Sequence, residues 1–513
     1  MGYFQSKRII LLPGAILASL LLAGCAIKPK ALTSDELATF ANHNLAGVTA
    51  GQVPLGRVVT LREALARAIK YNLDYKVEQL DQALKLKDLN VFKTGMMPGI
   101  LADAGYSGRN NVNAATSQSA QTGQLFLQSA TSQDRNDVAG DLDFSWNVLD
   151  FGLSYVEAKQ AANKAEIAAE EKRKVLARIV SDVRTAYWRA LSAQHLVARL
   201  RSLEARINRS LHDNREIVHD QDTSPVAALT NERELLEIQH QAEQIEGNLE
   251  TAKAQLAALM NVAPDTKYRV AETRLPRLPK LFHENYQTLV RVALTQRPEM
   301  REVQYKLRIN AEEGQKALVK LLPGVQIFAG PSFDTNSFLL HSTWLGWGAK
   351  AAWNVVNLFK YPTAQAQIGA QTDVLHERAL AVTMAVMTQV YVSRMQYDHF
   401  IHELATTTRF LAVQSQIVRQ LQAQKAANLI SDQTLIREQM NLLVAEAKRD
   451  VVLSSLQQAA GSIYQAVGID PVPADLDTSL SIKDIASSLG QDGSWTAQSQ
   501  KRLRMASRAS GAS

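Results

Sequence analysis

A single cysteine, Cys25, serves a chain of 513 residues. One thiol closes no internal disulfide and, alone, makes no metal site. Proline is missing from residues 99–224 and glycine from 153–246, while 370–460 contain neither. Such tracts exclude a fold of many short elements joined by tight turns. After residue 25 no apolar run is long enough for a transmembrane helix, and mean hydropathy is −0.15. Charge of one sign is scarce too: 56 Lys and Arg face 50 Asp and Glu, a net of +6. No basic stripe interleaves with aromatics, so nucleic acid is not an expected partner. Catalytic signatures are absent: no HExxH, no GxSxG, no Walker loop. His399 and His402 in "YDHFIHEL" have no third ligand in sequence and read as a polar helix face. Glu170-Glu171, beside Lys172 to Lys174, read as helix-surface charges. No enzyme, metal or cofactor is expected.

What is present begins at the amino end. Lys7 and Arg8 precede a charge-free run from Ile9 to Leu22, then Leu22-Ala23-Gly24. That is a secretory signal peptide over 1–24, too short and wrongly flanked to span as a helix. "LAGC" resembles the lipobox of bacterial lipoproteins, which implies cleavage before Cys25 and acylation of its thiol and new amino end. Several acyl chains anchor firmly where one holds marginally. Ala26, in place of the Asp that resembles an inner-membrane retention signal, favours the outer membrane.

The rest of the chain repeats itself. "AIKYNLDYKV" at Ala68 is echoed by "ALTQRPEMRE" at Ala293 (293 − 68 = 225), and Pro98-Gly99 by Pro323-Gly324. Further on the spacing is 207: Trp146-Asn147-Val148 with Trp353-Asn354-Val355, Ser224 with Ser431, and Asn261-Val262-Ala263-Pro264 with Gly468-Ile469-Asp470-Pro471. The chain reads as a lipidated linker (25–57), a first repeat (58–264), an equatorial linker (265–284) and a second repeat (285–471). A C-terminal equatorial segment follows (472–513), ending in a disordered basic tail that contains "QKRLRMASRAS".

Helices are predicted over about 60–96, 153–220, 225–262, 285–321, 362–427 and 432–467, with Pro225 and Pro362 at first helical positions. At ~1.5 Å per residue the second is roughly 100 Å long, a reach no globular core needs. Ala158 and Ala165, like Ala162 and Ala169, are seven apart on it, a face suited to close side-by-side packing.

Strands are predicted at about 99–109, 140–151, 324–333 and 344–357. In "DLDFSWNVLD" Leu142, Phe144, Trp146 and Val148 alternate with Asp141, Asp143, Ser145 and Asn147. In "GAKAAWNVV" Ala349, Ala351, Trp353 and Val355 oppose Lys350 and Asn354. A membrane β-barrel wants this pattern, apolar to lipid and polar to a wet lumen; a soluble sandwich alternates as well. On the barrel reading Leu142, Phe144, Trp146, Val148, Trp353 and Val355 meet lipid, while Asp141, Asp143, Asn147, Lys350 and Asn354 line the lumen. Four strands cannot close a barrel, and open edges are not viable in lipid. Three copies in a head-to-tail ring would supply twelve strands and align the long helices as a hollow cylinder. A lipid-anchored coiled-coil scaffold without a pore is the competing reading, and the Trp-bearing strands weigh against it.

The duplicated "TLREALARAIKYN", "WNVLDFG" running into an Ala-rich helix, and "VRTAYWRAL" resemble the TolC family of outer-membrane efflux proteins over roughly residues 58–470. The lipobox ahead of them resembles the OprM-like branch. The resemblance implies a mainly α fold with membrane β: a homotrimer with a twelve-stranded barrel and a long periplasmic α-barrel. It also implies an entrance opened by a periplasmic adaptor (membrane fusion) protein and an inner-membrane pump, in efflux or type I secretion. The hairpin turns at 218–226 and 425–433 should form that entrance. Family tips carry a Gly; here Asn428 stands in its place, and Asn tolerates positive φ. Asp220, Asp222 and Asp432 are candidates for an acidic ring at the mouth. Ser224, Pro225, Asn428, Leu429 and Ser431 are candidates for adaptor contact.

Overall fold

The computed structural model describes residues 30–125, 128–219, 225–273, 285–470, 472–473 and 476–489. Cys25, Asp220, Asp222 and Ser224 therefore lie outside the described residues, as do the signal peptide and the basic tail. The chain divides into two units at Pro54/Leu55. In the first, helix α1 (Ser34–Gly47) starts with a capping box. The Thr33 hydroxyl accepts from Glu36 N–H at 3.2 Å while the Glu36 carboxylate accepts from Thr33 N–H at 2.7 Å.

The second unit is the duplicated one. Its first repeat runs β1 (Val58–Val59), α2 (Leu61–Tyr71), α3 (Leu73–Thr94), β2 (Gly99–Gly108), β3 (Ala114–Ala115), β4 (Ala130–Thr131), β5 (Asn136–Asn147), α4 (Val148–His219), α5 (Pro225–Leu259) and β6 (Arg269–Val270). The second runs α6 (Tyr286–Gln296), α7 (Pro298–Val319), β7 (Gly324–Asp334), β8 (Thr343–Ala352), α8 (Val356–Ala426) and α9 (Asp432–Val467), followed by α10 (Ile482–Ser488). The long helix α4 has 72 residues, about 108 Å at 1.5 Å each.

Both helices predicted as continuous before the strands are broken, and at matching positions. Asn72 is extended (φ −60°, ψ 127°); its Oδ1 caps α3 at Tyr75 N–H and its Nδ2 donates to Leu259 C=O. An asparagine side chain competes for backbone partners in this way. Arg297, 225 residues on, is extended as well (φ −68°, ψ 135°). There Pro298 forces the break, since the residue before proline is driven out of the α region. The return helices end alike, Asn261 at φ 56° and Gly468 at φ 75°, the pair matched at spacing 207. Gly468 sits so close to the second break that a Cβ there would lie 2.7 Å from Arg297 N.

Pro362 does not open its helix. α8 starts six residues earlier, because the Asn354 Oδ1 accepts from Val356 N–H at 3.2 Å and turns the chain into the helix. Pro362 then lies inside, where its missing N–H forfeits one bond, to the Leu358 carbonyl.

Two apolar cores hold the helices together. The larger joins Leu65 and Ile69 of α2, Ile179 and Tyr187 of α4, Leu289 of α6 and Ile463 of α9. The smaller joins Leu200 and Ile207 of α4 to Leu235 of α5 and to Ile436 and Met440 of α9. Beside the larger core β1 and β6 pair in parallel. The Tyr187 hydroxyl donates to Ala271 C=O at 2.7 Å and lies 3.2 Å from Val59 C=O, tying α4 to this small sheet. Tyr187→Phe should cost about 1–2 kcal/mol, the price of a buried carbonyl losing its donor; thermal loss of helical circular dichroism measures it. Lys70 Nζ donates to Ser479 C=O at 3.1 Å and fastens the C-terminal segment to α2.

Sheet faces and hairpin tip as the candidate functional site

The larger sheet has the order β2-β5-β7-β8, antiparallel throughout. Directly paired residues share a face. Ile100 pairs with Phe144, Ala102 with Leu142, Trp146 with Ile327, and Ile327 with Ala349, which builds one apolar face. Asp103 pairs with Asp141, Asp141 with Ser332, Asn147 with Gln326, and Gln326 with Lys350, which builds the other. Leu101, Phe328 and Trp344 interrupt the polar face. Among the described residues the apolar face is largely uncovered: Trp347 is 81% exposed, and Ile100 and Leu345 are exposed too, while Trp146 at its end is half-buried. β2 and β8 each pair on one side only.

β7 presses hard against β5 in mid-sheet. A Cβ on Gly330 would lie 1.9 Å from the Leu142 carbonyl oxygen. The neighbouring Pro331 has no N–H to offer, and the ladder skips both residues. Such kinks curve a sheet toward closure.

Leu142, Phe144 and Trp146 lie on the strands on the apolar face, and Asp141, Asp143, Asn147 and Lys350 on the polar one. Four residues do not. β5 ends at Asn147, so Val148 is the first residue of α4; β8 ends at Ala352, so Trp353, Asn354 and Val355 lie past the strand. The cause is the same in both repeats: Asn147 Oδ1 accepts from Leu149 N–H at 3.0 Å, as Asn354 Oδ1 does from Val356 N–H. The alternation runs on, by one residue past β5 and three past β8, while the backbone has already left the strand. Trp353 Nε1 donates to Leu321 C=O at 2.9 Å, and Trp146 meets Phe151 edge to face at 5.6 Å.

At the second hairpin tip Asn428 has φ 57°, as its place in the turn requires. Ser431 caps α9, its Oγ accepting from Thr434 N–H at 3.2 Å. Leu429 projects, 74% exposed. Asp432 is not a free acid: Arg206 of α4 reaches its carboxylate at 3.0 Å and also donates to Gln439. Arg437 pairs with Glu234 at 2.7 Å close by. No local pattern announces Arg206, 226 residues from its partner. Pro225 opens α5, and Ser224, Asp220 and Asp222 fall outside the described residues.

Glu170 corrects the reading of surface charge. It is 5% exposed and binds Arg173 and, at 3.1 Å, Arg301; Arg173 also meets Asp470 at 3.0 Å. A buried carboxylate needs such partners, and these fasten α4 to the second repeat. Nearby, burial pushes the Glu299 carboxyl up, but hydrogen bonds and charge from Arg297 outweigh it and hold it below the ordinary range. Its contribution to stability is present above the unfolded glutamate pKa and is lost as pH falls through the lower folded value. His399 and His402 are exposed, His399 lying 3.3 Å from Glu403. Among the described residues no three His, Cys, Asp or Glu side chains group as metal ligands, and no helix is long and apolar enough to cross a membrane.

No protein-family model matches this sequence, and no curated protein matches it. Solved structures do match in fold. The CmeC outer-membrane channel of Campylobacter jejuni is 14% identical with a TM-score of 0.63, covering 84% of this chain and 90% of that one. The outer-membrane protein VceC of Vibrio cholerae is 11% identical at 0.58, covering 80% and 96%. The open state of the Neisseria gonorrhoeae MtrE outer-membrane channel is 13% identical at 0.56, covering 80% and 89%. The chain has the fold of these channels, long helical hairpins continued into a four-stranded sheet.

Proposed function

We propose that this chain is one subunit of a trimeric outer-membrane export channel of the TolC type. The observation that carries the reading is the sheet, apolar on one face, polar on the other and open at both edges. Strand directions alternate across it, so β8 of one copy meets β2 of the next antiparallel, and three copies of four strands make an even ring of twelve. The helical layer has matching free edges. α8 exposes Leu380, Met384, Tyr391 and Met395, and α3 exposes Val77, Leu80, Leu84 and Val91. Spacings of three, four and seven residues suit such faces to helix–helix packing.

In this reading the apolar face meets lipid and the polar face lines a bore. The helices carry the bore into the periplasm, and acyl chains on Cys25 tether each subunit beside it. Asn428, Leu429 and Ser431, with Ser224 and Pro225, present the tip to a periplasmic adaptor; an inner-membrane pump supplies the energy. The channel is a passive exit duct. A pore-free scaffold has no use for a polar face opposite an apolar one.

Native mass spectrometry of the mature protein in mild detergent tests this. A trimer is expected, each subunit beginning at Cys25 and heavier by its acyl groups. A monomer with an unmodified thiol would overturn both the ring and the anchor.

A further inference from the structure

The β7–β8 turn, residues 335–342, has two halves of opposite character. Thr335, Asn336 and Ser337 are bound to the base of the other external loop. Ser337 N–H and Oγ donate to the Asp134 carboxylate at 2.6 and 3.0 Å, and Asn336 Nδ2 donates to Ser132 C=O at 3.0 Å. Thr335 Oγ1 donates to Asp137 at 2.9 Å and accepts from Val138 N–H at 2.8 Å. The second half is Phe338-Leu339-Leu340, all exposed, Leu340 by 97%. Three consecutive large apolar side chains held out by a pinned turn are unusual on a wet surface. The loop that pins them, 109–135, is rich in Ser, Thr, Asn and Gln.

We infer that Phe338, Leu339 and Leu340 insert into the outer leaflet of the membrane and fix the height of the sheet in it. The inference rests on the outer-membrane reading above. Continuity names the occupant: a few residues along β8, past Trp344 on the other face, Leu345 and Trp347 stand exposed on the apolar face of the sheet. The ten residues of β8, at ~3.3 Å each and tilted by about 40°, rise about 25 Å. That matches the apolar band of such a barrel, so the turn emerges at its outer boundary, among headgroups and upper acyl chains. Hydrogen bonds to Asp134 and Asp137 prevent the turn from folding its apolar half inward.

A nitroxide at Leu340→Cys, in chains reconstituted into phospholipid vesicles, tests the placement. Accessibility to oxygen is compared with accessibility to a water-soluble nickel chelate. The unmodified chain, labelled in parallel, supplies any Cys25 signal for subtraction. Leu345→Cys and Ser119→Cys are the references for lipid and water. Leu340 should resemble Leu345, with oxygen dominant. Dominance of the chelate, as at Ser119, would put the turn in water and overturn the inference; protection from both would put it against another copy and do the same. If Leu345 itself is not oxygen-dominant, the outer-membrane reading fails, and the inference with it.

Discussion

Gly468→Ala should destabilise the folded chain by about 3–5 kcal/mol, combining a left-handed backbone forced on a Cβ with an overpacked contact. The position has φ 75°, and the added carbon would lie 2.7 Å from Arg297 N, a backbone atom that cannot rotate away. Asparagine tolerates positive φ, and the matching position of the first repeat is Asn261 at φ 56°. Gly468→Asn should nonetheless fail almost as badly, because the obstacle is the second break and not the dihedral alone. Asn261→Gly should stay within about 1 kcal/mol. Chemical unfolding followed by helical circular dichroism gives the ranking. Equal costs for Gly468→Ala and Asn261→Ala would show that φ alone decides.

The second large effect is electrical. On the polar face of the sheet Asp103, Asp137, Asp141, Asp143 and Asp334 stand against Lys350 alone. In the proposed trimer three copies around one bore would multiply the imbalance, and rings of carboxylates favour cations. Asp103→Asn/Asp141→Asn/Asp143→Asn should move the reversal potential of a planar bilayer under a salt gradient most of the way to zero. The same exchange at Asp220, Asp222 and Asp432 should move it less, since Arg206 already neutralises Asp432. A larger shift from the tip set than from the sheet set would relocate the selectivity to the entrance.

Much of this architecture is legible because the long helices advertise themselves by what they omit. Tracts without proline or glycine become most of α4, α8 and α9, and the matched Pro-Gly pairs mark where β2 and β7 begin. Asn428 is legible as a turn residue because few side chains tolerate its φ. The junctions are not legible, since Val148 and Val355 continue the alternation after a single asparagine side chain has redirected the backbone. Asn72 hides its break for a similar reason: nothing marks it apart from any other helical asparagine until Leu259, 187 residues away, offers its carbonyl. Glu170 looks like a surface acid because Arg301, 131 residues on, arrives only in three dimensions. The tip ion pair is opaque for the same cause.

The asparagine turns leave little slack between sheet and helix: none between β5 and α4 at Asn147, and three residues between β8 and α8 around Asn354. Each long helix is therefore a lever set directly in the wall that holds it. Over about 108 Å a tilt of about 5° at the sheet displaces the far end by about 9 Å, more than one strand spacing and close to one helix diameter. Large displacements of the tip then need only small slips between side chains near the fulcrum. Stiffness at the sheet and travel at the far end become one property of a single uninterrupted helix.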